Sequence, residues 1–558
     1  MRYRNRLRTV LLSVILCMTL FTGCGQQTDT PTSTLSVCVG SAPATFDPIY
    51  AEEIADQTIL THLYENLMRI VPDGNGGTTV TNGMAAHVQK EENVDGTVTY
   101  RFQLGNAKWS DGKPVTAHDF AYAWTRLAHP SSHSPYAKLL SMVVGYEEAR
   151  ASGNMDALQV HAKNDYTLVV TLNGNYEWFL SQVCTSPATM PLRQDVILRL
   201  KEAGLPATES ETATPWWADP TLLVTNGDFL ATDYDPDSSL VLTHKETQES
   251  PSDSFQELHF HFADTTEEAW SFYQNHTVDA VWPLPESKVK QLASQKNQLA
   301  EPELSTYTAL FNATEGVFTN PLVRQAMSMI IDRPVVAELA GVTATAAEGL
   351  IPPGVPENEL GDFRTVGGAV LVNDPIRYAD DCENARALLT EAGYTSGSDL
   401  GELTYLYVDE GNHGAVANAL CQQWYEALDI TVTPVGVTNQ ELWSALRRGD
   451  YTLAGAELNA MGNDAECFLM PWISHDPNNV VGYQNSSYDT LMSIIATAPD
   501  GVARMGCLHD AELLLLSDCA LAPLYSNGTY WQLRETLTGA CRDARGWFSF
   551  SDVTVKNT

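Results

Sequence analysis

The chain has 558 residues, of which 69 are Asp or Glu and 32 are Lys or Arg, giving a formal charge of −37. Such a surface repels nucleic acid and anionic lipid headgroups, so neither a polynucleotide nor another polyanion is an expected ligand. The length exceeds what one hydrophobic core organises and predicts two or three domains.

The N-terminus carries Arg2, Arg4, Arg6 and Arg8, then an apolar stretch from Val10 to Phe21, then Thr22, Gly23 and Cys24. A basic start, a short apolar segment and a small residue before the cut describe a secretory signal. The apolar run is too short to span a bilayer, which needs roughly 20 residues. The segment 25–34 is polar and cannot pack a core. A plain cleaved signal with an incidental cysteine fits these residues. Leu20-Phe21-Thr22-Gly23-Cys24 followed by a polar tether also resembles a bacterial lipobox. That resemblance implies that residues 1–23 are removed, that 24–34 is a tether, and that Cys24 carries acyl chains such as palmitate. Two or more chains would anchor it stably in the membrane.

Beyond the tether, Leu35, Val37 and Val39 alternate with Ser36 and Cys38 and predict a strand. A second strand is predicted over 97–104 after the turn pair Asp95-Gly96. Thr116, with Asp119 three residues on, predicts a capped helix whose Phe120, Ala123, Trp124 and Leu127 face the core. Pro321 suits the first turn of a helix reaching about Asp332. Asp380 can cap a helix through Ala392, with Gly393 placed to end it. From Leu403 onward strand and helix alternate: 403–408, 414–428, 430–435, 439–448 and 451–456. The alternation argues for α/β lobes with largely parallel sheets. Apart from Cys17 and Cys24 the cysteines are scattered, with no Cys-x-x-Cys pair, so no zinc site is expected. Cys38 and Cys541 lie near opposite ends of the chain and are the one disulfide suggested.

Chemistry-bearing motifs are absent. There is no Gly-x-Ser-x-Gly, no His-Glu-x-x-His and no phosphate loop of the Walker type. Asp233, Asp235 and Asp237 begin like a calcium loop, but Ser238 and His244 stand where Gly and Glu are required. Nothing assembles a nucleophile and a base, so no enzyme and no cofactor is expected.

Several ordered segments together carry a family resemblance. In the first part of the chain they are Phe46-Asp47-Pro48, Leu63-Tyr64-Glu65-Asn66-Leu67, Asn82-Gly83-Met84-Ala85, Asp95-Gly96, Lys108-Trp109-Ser110-Asp111-Gly112 and Val115-Thr116-Ala117-His118-Asp119-Phe120, with Trp124 and Arg126. Later come Asn226-Gly227-Asp228-Phe229, Val323-Arg324-Gln325-Ala326, Asp332-Arg333, Ala392-Gly393-Tyr394 and Gly449-Asp450-Tyr451. Asn478-Asn479, Tyr483-Gln484-Asn485, Tyr488-Asp489 and Ala522-Pro523-Leu524-Tyr525 close the series. The set, from about Leu35 to Trp547, resembles the oligopeptide- and dipeptide-binding lipoproteins of ATP-binding-cassette transporters, solute-binding family 5.

The resemblance implies an α/β, two-lobed type II periplasmic-binding-protein fold with an extra N-terminal subdomain and a hinge between lobes. Lobe I would comprise 35–55, 205–285 and 515–550, the inserted subdomain 56–204, and lobe II 286–514. Most of the matching residues read as scaffold: Trp109, Asp111 and Gly112 as a tight turn with an aromatic plug, Trp124 as core. It further implies a monomeric receptor on the extracytoplasmic face of the bacterial membrane that encloses a peptide and presents it to a permease driven by an ATPase. Relatives using the same fold for nickel chelates, haem or sugars, and non-transporting sensors, remain open alternatives.

In the family the peptide hydrogen-bonds through its backbone to strand edges on both lobes, a form of β-augmentation. The matching segments are Ser41, Ala42 and Pro43 after the first strand, and Glu457, Leu458 and Asn459 after the strand at 451–456. Many peptide binders carry Trp-x-x-Asp at the second segment, the Asp pairing with the peptide ammonium. Ungapped alignment back from Phe468-Leu469 puts Leu458 at the Trp and Met461 at the Asp, so that anchor is missing. Asp464 matches a second acidic residue of the family and is a candidate ligand contact, with a loop-stabilising carboxylate as the competing reading. Tyr483 is a further candidate contact, and Glu457 can replace the lost anchor if it faces the cleft.

Overall fold

Leu35 and Val37 point inward from the strand Thr34–Cys38 while Thr34 and Ser36 are half exposed. That strand sits inside a six-stranded sheet ordered Gln532–Leu533, Ala280–Val281, Thr34–Cys38, Glu257–His261, Ser239–His244 and Phe229–Asp235. The computed structural model describes residues 34–74, 77–202, 215–245, 255–295, 300–358, 360–460, 462–496, 498 and 501–556. The leader with Cys24 and the tether through residue 33 lie outside these residues, as does Met461.

A second six-stranded sheet builds the other lobe, ordered Thr345–Ala346, Leu521–Thr529, Glu301–Phe311, Leu453–Asn459, Leu403–Val408 and Val432–Val437. A four-stranded antiparallel sheet (Ala85–Glu92, Val98–Leu104, Thr167–Leu172, Val160–Asn164) forms the inserted subdomain and shares one core with the first lobe. The second lobe has separate clusters, one around Trp424 and Tyr405, the other around Leu508 and Trp472.

The sheets are mixed, not largely parallel. Thr34–Cys38 pairs parallel with both its neighbours and Leu403–Val408 does the same in the second sheet; the remaining pairings in both sheets are antiparallel. Strand–helix alternation, which supplies parallel crossovers, runs from Leu403 to Asn459 and recurs in the first lobe where the helix Thr266–Gln274 links Glu257–His261 to Ala280–Val281. Elsewhere neighbours are hairpins, such as Phe229–Asp235 with Ser239–His244, or segments far apart in the chain.

Local signals set the element ends with small differences. The helix begun by Pro321 stops at Met329, because Asp332 caps a separate helix, Arg333–Ala340, accepting from Val335 N at 3.2 Å. The helix expected to start at Asp380 begins at Tyr378, leaving Asp380 in its first turn, and Gly393 follows its end with φ +97°. In Ala117–Ala128 Phe120, Ala123, Trp124 and Leu127 are all buried. Asp119 accepts from Thr116 N at 2.8 Å and from the indole of Trp109 at 3.2 Å, so one carboxylate joins the helix start to the turn. Asp119→Ala is therefore expected to lose about 2 kcal/mol, a cap plus a stranded indole N–H, in urea unfolding followed by circular dichroism.

Two further expectations are corrected. Cys38 and Cys541 are both free: Cys38 packs with Val278 and Leu284, while Cys541 sits on a hairpin with Ser549. The boundary at residue 515 falls too early, since Leu521–Thr529 stands inside the second sheet and the chain rejoins the first lobe at Gln532–Leu533.

The lobes are joined where Glu301 and Pro302 pair with Thr529 and Gly528. The indole of Trp531 donates to Glu301 at 2.7 Å, and that of Trp282 donates to Thr529 Oγ1 at 3.1 Å. Two chain crossings bonded to each other form a narrow hinge, the arrangement from which lobes rotate as units.

Candidate functional site

The hinge leaves a cavity of about 580 Å³ between the lobes. Its first-lobe wall includes Gln57 and Tyr136, on the helix Ile54–Leu63 and in the subdomain, and Trp547 from the C-terminal segment. Gln57 Nε2 donates to Tyr136 Oη at 2.8 Å and to Ala51 O at 3.0 Å, fixing the amide. The second-lobe wall is made by the ends of two antiparallel strands, with Ser305 opposite Asn459 and Tyr307 opposite Glu457.

Strand alternation decides which side chains of Leu453–Asn459 reach the cavity. Glu457 and Asn459 line it, whereas Leu458 packs onto the second-lobe core. Glu457 Oε1 accepts from Ser305 Oγ at 2.8 Å and from Asn527 Nδ2 at 3.2 Å, which orients the carboxylate. Glu303, nearby on the same wall, has its carboxyl pushed above the usual range by burial, an effect that Arg542 opposes and Glu457 reinforces. Arg545, also at the cavity, is neutralised by Asp543 at 2.7 Å.

The remaining sequence candidates lie elsewhere. Ser41, Ala42 and Pro43 follow Gly40 (φ +112°) on the first lobe and are absent from the cavity lining. Their loop is held by Ala44 N donating to Asp56 Oδ1 at 3.0 Å. Asp464 caps the helix Ala465–Leu469 and pairs with Arg504 at 3.0 Å, a structural role. Tyr483 is buried, its hydroxyl donating to Asp518 at 2.8 Å and its ring edge-on to Tyr488. Gln57, Tyr136, Ser305, Arg542 and Trp547 were not legible as site residues, because none belongs to a motif and each reaches the cavity only through the packing of distant segments. Among the described residues no cluster of His, Cys, Asp or Glu gathers as a metal site.

Two lobes, a paired hinge and a cavity between them with polar side chains on both walls describe a molecule that closes around a solute. Residues 79–479 match the model of the bacterial extracellular solute-binding proteins, family 5 (middle region). The chain belongs to this family. Among the proteins it resembles is the "probable deoxycholate-binding periplasmic protein YgiS" of Escherichia coli K12, 27% identical and aligned over 87% of this chain and 86% of that one. The dipeptide-binding protein DppE of Bacillus subtilis 168 is 24% identical over 90% of this chain and 89% of its own. Among solved structures, the unliganded open form of the murein tripeptide binding protein MppA superposes with a TM-score of 0.73 at 23% identity, covering 94% of this chain and 98% of that one. The Haemophilus influenzae OppA complex with RPPGFSPFR gives 0.69, also at 23% identity, covering 94% and 99%. The fold of this family-5 protein is thus the two-lobed type II binding-protein fold.

Proposed function

We propose that this protein is the receptor of an ATP-binding-cassette importer, capturing a peptide between its lobes and delivering it to a membrane permease. The observation that carries the reading is the interlobe cavity, walled on one side by oriented polar side chains of two strand ends. The peptide-binding names of many relatives support the choice of solute. The protein itself performs no covalent chemistry in this reading. Cys24 anchors it to the outer face of the membrane, where it acts as a monomer.

Native mass spectrometry of protein purified without denaturation, with identification of what unfolding releases, tests the solute. Release of short peptides of mixed sequence is expected; a single non-peptide compound would overturn the peptide assignment.

Glu457 takes the role of the missing ammonium anchor. Its Oε1 is occupied by Ser305 and Asn527, and its second oxygen, which accepts from no donor among the described residues, serves the ligand. Removing one member of such a pair costs about 2–5 kcal/mol. Glu457→Gln is expected to weaken a released peptide by at least about tenfold in calorimetric titration while leaving its N-acetylated form nearly unaffected. Equal affinity of wild type and variant for the free-amine peptide would remove Glu457 from the role.

A further inference from the structure

Among the described residues the buried arginines each donate a hydrogen bond to a carboxylate or a main-chain carbonyl, with one exception. Arg126 makes a two-pronged pair with Asp47 at 2.8 and 2.6 Å. Arg193 lies between Asp111 and Asp195 at 3.0 and 2.7 Å, and Arg504 between Asp464 and Glu466 at 3.0 and 2.8 Å. Arg364 meets Glu512 and the carbonyl of Gly368, and Arg545 meets Asp543 and the carbonyl of Gln182. Arg324 and Arg333 donate to main-chain carbonyls.

Arg542 differs. Its side chain is only 4% exposed, its Nε, like that of Arg504, has no partner among the described residues, and its nearest carboxylate, Glu303, stands at 3.6 Å, beyond hydrogen-bond reach. The other acids around it are engaged elsewhere: Glu301 accepts from Trp531, and Asp543 pairs with Arg545. A guanidinium carries five donors in a planar fork, and leaving it buried without them satisfied is unfavourable. The group is also held in place, because Arg542 pairs through its backbone with Phe548, whose amide donates to Thr58 on the helix Ile54–Leu63. It lines the interlobe cavity and an adjoining recess of about 440 Å³.

We propose that Arg542 is a ligand site that receives a carboxylate of the captured solute. Arg193 and Arg504 show that this chain places an arginine between two carboxylates; at Arg542 Glu303 supplies one and the ligand the other. The proposal rests on the peptide-receptor reading, and the carboxylate is then the peptide's C-terminus or an acidic side chain. It also gives closure a chemical basis. Arg542 belongs to the first lobe and Glu457 to the second, so a zwitterionic ligand places its opposite charges on opposite sides of the hinge.

The test uses an equimolar library of di- to pentapeptides, prepared as free acids and as C-terminal amides, half of each set containing Asp or Glu. The purified protein is dialysed against the mixture and retained peptides are identified after unfolding. Wild type is expected to retain free acids over neutral amides by about tenfold. Arg542→Gln abolishes the preference and Arg542→Lys keeps part of it. Retention of amides only when they contain Asp or Glu, lost in Arg542→Gln, assigns the site to an acidic side chain. Acids and amides held alike by wild type overturn the proposal even if the Gln variant fails to fold, and leave the receptor reading intact. An unchanged preference in a folded Arg542→Gln protein overturns it equally. Retention of no peptide of either kind overturns the receptor reading itself, and the proposal with it.

Discussion

Replacing Arg504 by Met is expected to destabilise the protein by about 3–5 kcal/mol, the usual result of stranding a buried charge. The guanidinium is fully buried and holds Asp464 at 3.0 Å and Glu466 at 2.8 Å. Glu466 also accepts from the indole of Trp178 at 3.2 Å, so the cluster ties the subdomain to the second lobe. Burial pushes the Glu466 carboxyl upward and Arg504 pulls it back, which shows how far its ionisation depends on that one cation. Without it, two acids face each other in a site that excludes water. The cause can be separated from simple loss of packing. Adding Asp464→Asn and Glu466→Gln to Arg504→Met removes both charges and leaves oxygens for the helix cap and the Trp178 indole, so most of the stability should return. Urea unfolding followed by tryptophan fluorescence measures all three proteins. A single variant within about 1 kcal/mol of wild type would show that the cluster is not a stability determinant.

The second large effect depends on pH. Asp56 is 1% exposed, its Oδ2 has no partner among the described residues, and burial pushes its carboxyl up to about 7. Below about pH 4 the folded and unfolded chains both hold this proton, and the stability it contributes is fully present. As the pH rises from about 4 through about 7 the unfolded chain releases it first, and that contribution is lost. His62 runs the other way: burial lowers it to about 4, so its contribution is present above about 6.5 and lost as the pH falls towards 4. Asp56→Asn keeps an acceptor for Ala44 N but cannot ionise. It is expected to stabilise the protein at pH 8 by on the order of 3 kcal/mol and to change little at pH 4.5. Denaturation at the two pH values decides the matter; an equal effect at both would mean that ionisation of Asp56 is not the cause.

Much of the scaffold was legible because its signals are local. The Thr116–Asp119 capping motif, the Gly112 turn below Trp109 and the helix-period stripe through Trp124 each state their structure within a dozen residues. Family motifs such as Phe46-Asp47-Pro48 and Arg126 turned out to meet each other, through the buried Asp47–Arg126 pair, and neither residue lines the cavity. The site was less legible. Glu457 was named from the sequence as a position of interest and lines the cavity, but the face it presents depends on strand register, which also sends Leu458 into the core. Arg542 carries no local signal at all, since what distinguishes it is the hydrogen bonds it does not make. Sheet direction was misread for the same reason: pairing between segments hundreds of residues apart leaves no periodicity to find.

That long-range pairing sets an order of assembly. The first sheet brings Thr34–Cys38 beside Glu257–His261 and Ala280–Val281, and Gln532–Leu533 pairs with the last of these to complete it. Its final strand is therefore among the last parts of the chain to be made, whereas the inserted subdomain draws its sheet entirely from residues 85–172. Contacts of such different sequence separation form on different timescales, the local ones first. The subdomain can become compact while the first lobe still lacks an edge, so the receptor gains a finished cleft only after nearly its whole length has been delivered.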